Sequence, residues 1–319
     1  MTRARLLLLG LAGLLVLGSL PVTLSRLTGW TSAPGIVLTA FAPLALVSYA
    51  AALVLVLAAV VAGRRGGRLA LAVAALAVVP LLLHVAWAAP LMTDEAEEPT
   101  GPDRVTLMSV NALLGRADAE VVADLVRERD VDVLVVSEVT PAFLRRAEAA
   151  GLRDVLPVQA GRPGTAAEGT MVFSRAPLEV VATVPTRFDS LVVRTSGLTV
   201  LGTHPAPPTA PDEWRRDLPL VLDAAVEHDV DAIVGDLNAT LDHAPVRDLV
   251  DGGWRDAVEL TGGGFQPTWP AGGGMGLPFA AVQIDHVLVG ERWTVTAVDD
   301  QAVPDTDHHA VTATLAPAG

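Results

Sequence analysis

The hydrophobic and polar positions divide this chain into a strongly apolar first third and a mixed remainder. Three long stretches of the first third contain no charged residue. A helix needs about 20 apolar residues to cross the hydrocarbon core of a bilayer. The pattern therefore predicts three membrane-spanning helices, over residues 6–25, 36–62 and 69–92. A polar linker that contains Pro and Gly follows over residues 93–103.

The distribution of arginine predicts how these helices are oriented. Basic residues precede the first span and separate the second span from the third, whereas Arg26 alone lies between the first two. The basic residues are Arg3, Arg5, Arg64, Arg65 and Arg68. Because basic loops stay on the cytoplasmic side, everything after Leu91 is expected outside. The basic start also fits a cleaved signal peptide, but no clear cleavage site follows residues 17–20, which favours an uncleaved helix.

The remainder of the chain alternates between strand-like and helix-like segments, which is typical of one α/β domain over residues 104–319. The predicted strands are Val105–Val110, Val131–Val136, Gly169–Ser174, Leu191–Arg194, Leu198–Thr203, Ile233–Gly235, Ala281–Val289 and Val311–Leu315. The predicted helices are Ala119–Arg129, Pro141–Ala150 and Asp212–His228. Glycine runs at 262–264 and 272–274 flank Pro267–Pro270 and predict a mobile loop there.

The composition of the chain excludes some kinds of catalytic site and disfavours one class of substrate. The chain contains no Cys, which excludes thiol nucleophiles and zinc–thiolate sites. Its formal net charge is −14, and all 36 acidic residues lie from Asp94 onwards. Proteins that bind long nucleic acids usually present a basic face. The acidic second part therefore disfavours nucleic acid as the substrate without excluding it.

Polar clusters stand at the ends of several predicted strands. They are Ser109–Asn111, Ser137–Glu138, Gly202–His204, Gly235–Asn238, Ile284–His286 and Thr306–His309. Side chains two residues apart on an extended backbone point the same way, so Asp236 and Asn238 can reach one small target together. Glu138 and Asp307, with the Asn111 amide, are hard oxygen donors suited to Mg²⁺ or Mn²⁺.

Each residue also has an ordinary interpretation. Asn111 fits a turn former, Glu138 fits a charge at a helix start, and His286 or His309 fits an exposed neighbour of the cluster. His84, within the third span, is interpreted as a neutral histidine packed between helices. The spans contain no acidic residue, so a transporter built on them is the least favoured class.

The ordered set of motifs resembles the endonuclease/exonuclease/phosphatase superfamily, the DNase I-like fold, over about residues 103–317. The set is Ser-Val-Asn111, Ser-Glu138, Thr-His204, Gly-Asp236-Leu-Asn238, Thr268-Trp269-Pro, Ile-Asp285-His and Asp307-His308. This resemblance implies a four-layer α/β sandwich, with two β-sheets flanked by helices, that cleaves phosphate esters with a divalent metal. The membrane-anchored layout resembles that of actinobacterial members of the superfamily.

The same resemblance implies roles for individual residues. Glu138 corresponds to the principal metal ligand, with Asn111 and Asp307 nearby. Asp236 would activate water, Asn238 would position the phosphate, Asp285 would orient His308, His308 would contact the phosphate, and His204 would be a second active-site histidine. Two positions depart from the pattern: Thr306 stands where Ser is frequent, and Leu113 stands where some DNA-acting members carry an acid.

The expected function is that of a membrane-anchored, metal-dependent phosphoesterase with its site on the outer side of the membrane. Because the linker is short, lipid-linked phosphates, phospholipid headgroups or small phosphate esters are the favoured substrates. The alternatives are an extracytoplasmic nuclease and a catalytically silent binding protein of the same fold.

Overall fold

The computed structural model describes residues 3–63, 67–93, 96–272 and 279–319. Arg64 and Arg65 of the predicted cytoplasmic loop, residues 94–95 of the predicted linker, and Gly273 and Gly274 of the predicted mobile loop lie outside the described residues. The chain forms two compact units. One is Met1–Ala89 with Asp242–Ala244, and the other is Pro90–Leu241 with Pro245–Gly319. The predicted boundaries of the membrane region, linker and catalytic domain stay a prediction.

The described residues of the first unit form four helices. They are α1 (Arg3–Thr28), α2 (Ala33–Ala40), α3 (Ala42–Gly63) and α4 (Arg68–Ala88), and a 3₁₀ turn over Ala89–Met92 follows. Three helices are long and apolar enough to cross a membrane, over Arg3–Thr28, Ala42–Gly63 and Arg68–Met92. Three apolar helices were predicted, but the second apolar stretch is not continuous. It is interrupted at Phe41, because Pro43 has no N–H to continue a helix through this point.

Three buried polar side chains connect the helices of this unit. The Thr23 hydroxyl lies 2.8 Å from the Tyr49 hydroxyl and 3.0 Å from His84 Nε2. These side chains belong to α1, α3 and α4 and are at most 3% exposed. His84 thus packs between helices, as predicted. Such contacts satisfy polar groups that have no water to bind in an apolar surrounding.

The second unit contains twelve strands and six helices within its described residues. In chain order these are β1 (Val105–Asn111), α5 (Ala119–Glu128), β2 (Val133–Ser137), α6 (Pro141–Ala149), α7 (Leu152–Val155), β3 (Val158–Gly161), β4 (Met171–Ser174), β5 (Glu179–Val184), β6 (Ser190–Thr195), β7 (Leu198–Thr203), α8 (Pro211–Glu227), β8 (Ala232–Asp236), α9 (Ala244–Asp251), β9 (Trp254–Asp256), α10 (Ala257–Leu260), β10 (Asp285–Gly290), β11 (Trp293–Ala302) and β12 (His309–Pro317).

The strands form two six-stranded sheets, in the orders β11-β12-β1-β2-β4-β3 and β5-β6-β7-β8-β10-β9. Both sheets are mixed, because β1 pairs with β2 and β7 pairs with β8 in parallel while their other pairs are antiparallel. Alternate residues of a strand face opposite sides. In β1, Leu107 packs in the core shared by the two sheets, whereas Met108 and Val110 pack in the core with α5 and α6. This layered α/β sandwich confirms the expected fold class.

The structure corrects several predicted segments. The strand expected over Ala281–Val289 begins only at Asp285, and the strand expected from Gly169 begins at Met171. Gly169 has a φ of 105°, which an ordinary strand residue does not adopt. Four strands, β3, β5, β9 and β11, were not predicted, and each of them is an edge strand of its sheet.

Candidate active site

The ends of the central strands bring the polar clusters together at one edge of the sandwich. Asn111 ends β1 and pairs with Ser137 at the end of β2, which places Glu138 beside it. In the other sheet, Asp236 at the end of β8 pairs with Asp285 at the start of β10. The Asn111 amide nitrogen donates to Asp236 Oδ2 at 2.9 Å, so this hydrogen bond joins the two sheets.

The residue before Asp236 must be glycine. Gly235 has a φ of 150°, and a Cβ on it would lie 1.9 Å from the Thr203 carbonyl oxygen of the neighbouring strand β7. No side chain fits at that distance. The close approach of the two strands therefore depends on this glycine, and it fixes the backbone from which the Asp236 carboxylate projects.

Backbone and side-chain donors hold the Glu138 carboxylate. Glu138 itself is in the left-handed region, with a φ of 60°. Its Oε2 accepts from the Leu114 N–H at 2.6 Å, and its Oε1 accepts from the Asn111 amide nitrogen at 3.3 Å. Burial raises the pKa of Glu138, while the Leu114 and Asn111 donors lower it, and the net change is upwards.

The Asn111 side chain presents its nitrogen, and not its oxygen, to the carboxylates. Its Oδ1 accepts from the Leu113 N–H at 2.9 Å. In this orientation the amide bridges Glu138 and Asp236. The predicted role of Asn111 as a metal ligand requires the amide to turn so that the oxygen faces the site, and it stays a prediction.

A buried histidine–carboxylate pair lies next to Asp236. His308 Nδ1 donates to Asp285 Oδ2 at 2.8 Å. The other ring nitrogen, Nε2, lies 3.8 Å from Asp236 Oδ2 and 3.8 Å from Asp307 Oδ1, distances too long for a hydrogen bond. One nitrogen of His308 is therefore fixed, and the other faces the carboxylates of the site.

The pKa values of these three groups are displaced in different directions. Burial lowers the pKa of His308, but Asp285 and Asp236 outweigh it and raise the pKa to about 10. Burial raises the pKa of Asp236 to about 7, although His308 opposes this change. Burial also raises the pKa of Asp285, but His308 outweighs it and the pKa is lowered. His308 is thus a cation at neutral pH, held by the Asp285 anion.

His204 differs from His308 in charge. Its ring stacks on Phe188 with centroids 4.7 Å apart, and its Nε2 lies 3.6 Å from Asp236 Oδ2. Burial, with the repulsion of His308, lowers the pKa of His204 to about 3. His204 is therefore neutral.

Asp307 and Asn238 complete the predicted set. Asp307 Oδ2 accepts from the Trp269 indole N–H at 3.0 Å, whereas its buried Oδ1 accepts no hydrogen bond in the described part of the chain. The Asn238 N–H donates to Asp236 Oδ1 at 2.8 Å, and the Asn238 side-chain nitrogen donates to the Pro205 carbonyl at 3.0 Å. The eight predicted residues thus form one linked cluster.

The donor set fits a hard divalent cation. A buried carboxylate oxygen without a hydrogen bond, such as Asp307 Oδ1, is costly unless a cation or water satisfies it. Ligand atoms of Asp236, Asp285 and His308 also lie within 4.8 Å of one another, a spacing that could hold a metal. The predicted metal ligands Asn111, Glu138 and Asp307 and the predicted roles of Asp236, Asp285 and His308 stay predictions.

Several residues at the site were not recognised from the sequence. Trp269 was noted as part of a motif, but its bond to Asp307 was not foreseen. The Thr268 hydroxyl accepts from the Ile284 and Asp285 N–H groups at 3.2 Å each. The interpretation of His286 as an exposed neighbour is wrong, because it is fully buried and lies 2.7 Å from Asp256 Oδ2. A carboxylate on the short strand β9 gives no sequence signal for this pair.

A family model described as the Endonuclease/Exonuclease/phosphatase family matches residues 108–308. That stretch contains all eight residues of the cluster. Among curated proteins, no sequence matches the chain significantly.

Solved structures of three proteins show the same fold at low identity. An AP endonuclease from Archaeoglobus fulgidus superposes with a TM-score of 0.53 at 15% identity, covering 66% of this chain and 98% of its own. The 3′ phosphatase NExo from Neisseria, bound to a product DNA hairpin, superposes with a TM-score of 0.52 at 16% identity. The match covers 66% of this chain and 98% of that protein. An endonuclease/exonuclease/phosphatase from Beutenbergia cavernae superposes with a TM-score of 0.51 at 20% identity. The match covers 68% of this chain and 72% of that protein.

Proposed function

Because this chain belongs to the endonuclease/exonuclease/phosphatase family, we propose that it is a membrane-anchored, divalent-metal-dependent phosphoesterase. The observation that carries the proposal is the buried cluster in which Asn111 joins Asp236 to Glu138 while Asp285 holds a cationic His308 beside them. Carboxylates whose pKa values are displaced in opposite directions are the arrangement expected where one group takes a proton and another stays charged.

In the proposed mechanism, Asp236 accepts the proton of the attacking water. Its pKa of about 7 suits a base that works near neutral pH. The Asn111 amide and the Asn238 N–H each donate to one oxygen of this carboxylate and fix its direction. The water is therefore aligned for attack on the phosphorus atom. Its oxygen forms the new P–O bond as the bond to the ester oxygen breaks, and the departing alkoxide takes a proton from solvent and leaves as the alcohol.

His308 stabilises the charge that develops on the phosphoryl oxygens. It is a cation, and its Nε2 makes no hydrogen bond shorter than 3.5 Å within the described residues, so this N–H is available to a substrate oxygen. Asp285 keeps the ring oriented and protonated. Preorganised donors of this kind contribute roughly 10²–10³ in rate each.

Glu138 and Asp307 would hold the metal, and Asn111 stays a predicted third ligand whose amide would have to give up its bond to Asp236 to join them. When bound, Mg²⁺ or Mn²⁺ would supply positive charge to the phosphoryl oxygens. The Trp269 indole occupies one oxygen of Asp307, and the other oxygen accepts no hydrogen bond among the described residues. The two oxygens of Glu138 accept from the Leu114 N–H and the Asn111 amide.

We place the site on the outer side of the membrane. Three apolar helices support membrane attachment, and the arginine distribution supports a cytoplasmic N-terminus. A short linker then keeps the site near the bilayer. This favours lipid-linked phosphates, phospholipid headgroups or small phosphate esters as substrates.

The second candidate function is an extracytoplasmic nuclease. One solved structure of the same fold contains a product DNA hairpin. The acidic second part of this chain opposes the approach of a polyanion. A catalytically silent binding protein is the third possibility, and it would bind phosphate esters without turnover.

The test is a hydrolysis assay of the full chain in lipid nanodiscs with Mg²⁺ or Mn²⁺. Substrates are a lipid pyrophosphate, a phosphatidylinositol phosphate, p-nitrophenyl phosphate esters and single-stranded DNA. Asp236→Asn should lose activity, whereas Asp223→Asn, an exposed carboxylate on α8, should not. Preferred cleavage of DNA would favour the nuclease. Binding without turnover of any substrate would favour the silent protein, and equal activity of Asp236→Asn and wild type would contradict the assignment.

A further inference from the structure

The turn after β1 contains three consecutive left-handed residues. Leu113, Leu114 and Gly115 have φ values of 44°, 54° and 71°. Glycine adopts this region without strain, and Asn or Asp adopts it at small cost, but a leucine side chain is disfavoured there. Two leucines in succession therefore need a reason.

The backbone of this turn has a clear task. The Leu113 N–H donates to Asn111 Oδ1 at 2.9 Å, and the Leu114 N–H donates to Glu138 Oε2 at 2.6 Å. The turn is held from outside as well, because Arg146 donates to the Gly115 carbonyl at 2.7 Å. Its backbone thus positions a predicted metal ligand.

The side chain of Leu114 is not needed for that task. Asn or Gly would supply the same N–H in the same conformation with less strain. Packing does not explain the leucine either, because Leu114 is 47% exposed. An exposed apolar side chain on a strained backbone, on the very residue whose N–H binds Glu138, is a combination that folding does not favour. Such outliers concentrate where a ligand is contacted.

We propose that the Leu114 side chain forms an apolar lip at the mouth of the active site and contacts a hydrocarbon group attached to the substrate phosphate. The preferred substrates are then phosphate esters that carry an apolar chain. This inference rests on the proposed phosphoesterase function and adds a residue that determines its specificity.

The geometry limits what the lip can contact. The Leu114 N–H is occupied by Glu138 at 2.6 Å, so the backbone at this position faces the carboxylate that would hold the metal. The proposal therefore puts the exposed Leu114 side chain next to a phosphate bound at this carboxylate. Burial of apolar surface in that contact strengthens binding in proportion to the area removed from water.

The experiment measures a selectivity ratio. The full chain in lipid nanodiscs is assayed with methyl and octyl p-nitrophenyl phosphate as free monomers, and the ratio of kcat/KM for octyl over methyl is determined. A second arm replaces the octyl ester with a hexadecyl ester embedded in the nanodisc. A fall of the ratio in either arm supports the contact, and the larger fall identifies whether a free or a membrane-bound ester fits better.

Leu114→Asn should lower the ratio about fivefold to tenfold, mainly through KM, because the apolar contact is lost while the N–H remains. Leu114→Met should keep the ratio within about twofold of wild type, because Met retains an apolar side chain. Val226→Asn is the matched control. Val226 is 63% exposed on α8, and its replacement should leave the ratio unchanged.

Two results would overturn the inference. One is a ratio for Leu114→Asn within twofold of wild type in both arms. The other is a lower thermal midpoint for Leu114→Asn with equal losses on all esters, which would assign Leu114 to packing. If wild-type protein hydrolyses none of the esters, the proposed function itself fails, and this outcome is distinct from a retained activity without selectivity.

Discussion

Two buried histidine–aspartate pairs share β10 and behave differently. Asp285 points towards the site and holds His308, whereas the next residue, His286, points the other way and binds Asp256. The two pairs have nearly equal lengths, 2.8 Å and 2.7 Å. The Nε2 atom of His286, however, lies 3.0 Å from the Ala239 carbonyl oxygen and is hydrogen-bonded to it. The Nε2 atom of His308 instead faces Asp236 and Asp307.

The difference teaches that a histidine–carboxylate pair indicates function only when its second nitrogen is open to a ligand. Burial lowers the pKa of His286, but Asp256 and the Ala239 carbonyl outweigh it, so the net change is upwards. Asp256 and the Ala239 carbonyl occupy the two ring nitrogens of His286, and Gln283 Nε2 lies 3.4 Å from Nδ1. His286 thus ties the loop after Asp236 to β9, whereas Nε2 of His308 makes no hydrogen bond among the described residues.

The largest effect is expected from breaking the structural pair. His286→Ala leaves Asp256 buried without its partner, and breaking a buried pair costs about 3–5 kcal/mol of unfolding free energy. Chemical or thermal unfolding of the full chain in detergent measures the loss. Turnover by the protein that remains folded should fall less than tenfold. A stability close to that of wild type would contradict the structural role.

His308→Asn should reduce turnover more than it reduces stability, the opposite of His286→Ala. Losing the cationic donor should lower kcat by about 10²–10³, and this loss should exceed that of His286→Ala at a temperature where both are folded. His309→Asn serves as the control. The ring of this neighbouring histidine lies 2.6 Å from Asp300 Oδ2 and is not part of the cluster. Steady-state hydrolysis at saturating metal measures the effect. Equal kcat values for the two asparagine variants would remove His308 from the mechanism.

Glu138→Gln tests the side of the site that neither pair occupies. The metal concentration for half-maximal activity should rise at least tenfold, because a neutral amide is a weaker ligand than a carboxylate. Titration of Mg²⁺ or Mn²⁺ into chelator-treated protein measures it, and the chelator alone should abolish turnover. Glu179→Gln, an exposed residue on β5, provides the comparison. Identical metal titrations for wild type and Glu138→Gln would place the metal elsewhere.

The smallest effect concerns the dependence of stability on pH. The folded-state pKa of His308 is raised from 6.5 to about 10. Its contribution to stability is therefore complete below pH 6.5 and is lost as the pH rises towards 10, by at most about 1.4 kcal/mol per pH unit. His286, whose pKa is also raised, adds a loss of the same sign. In chelator-treated protein, the thermal midpoint of His308→Asn should fall less between pH 7 and 9 than that of wild type. Parallel plots of thermal midpoint against pH for the two proteins would contradict this prediction.

Much of the architecture could be predicted from the sequence, and the strands that escaped prediction have one thing in common. The eight strands that were predicted lie inside the sheets, where both neighbours and both faces favour apolar residues. The four that were missed are the edges, and β5 and β11 expose many of their residues to water. A strand that is half solvated carries a weaker periodic signal.

The sequence singled out eight residues that the structure brings together, but not how they are arranged. Clusters at strand ends and the family resemblance located all eight residues, and the family match confirms the expected class of phosphate-ester hydrolase. The individual roles stay predictions. The orientation of Asn111, the bond from Trp269 to Asp307 and the Asp256–His286 pair depend on contacts between residues distant in sequence, which no local pattern encodes.

The glycine before Asp236 has a consequence for random mutagenesis. Every missense change at Gly235 would place atoms inside the adjoining peptide group, since even a methyl carbon would lie 1.9 Å from an oxygen. Inactive clones should therefore accumulate at codon 235 as densely as at the reacting side chains beside it. Only the amount of soluble protein recovered from each clone would distinguish variants that fail to fold from folded variants that lack a reacting side chain.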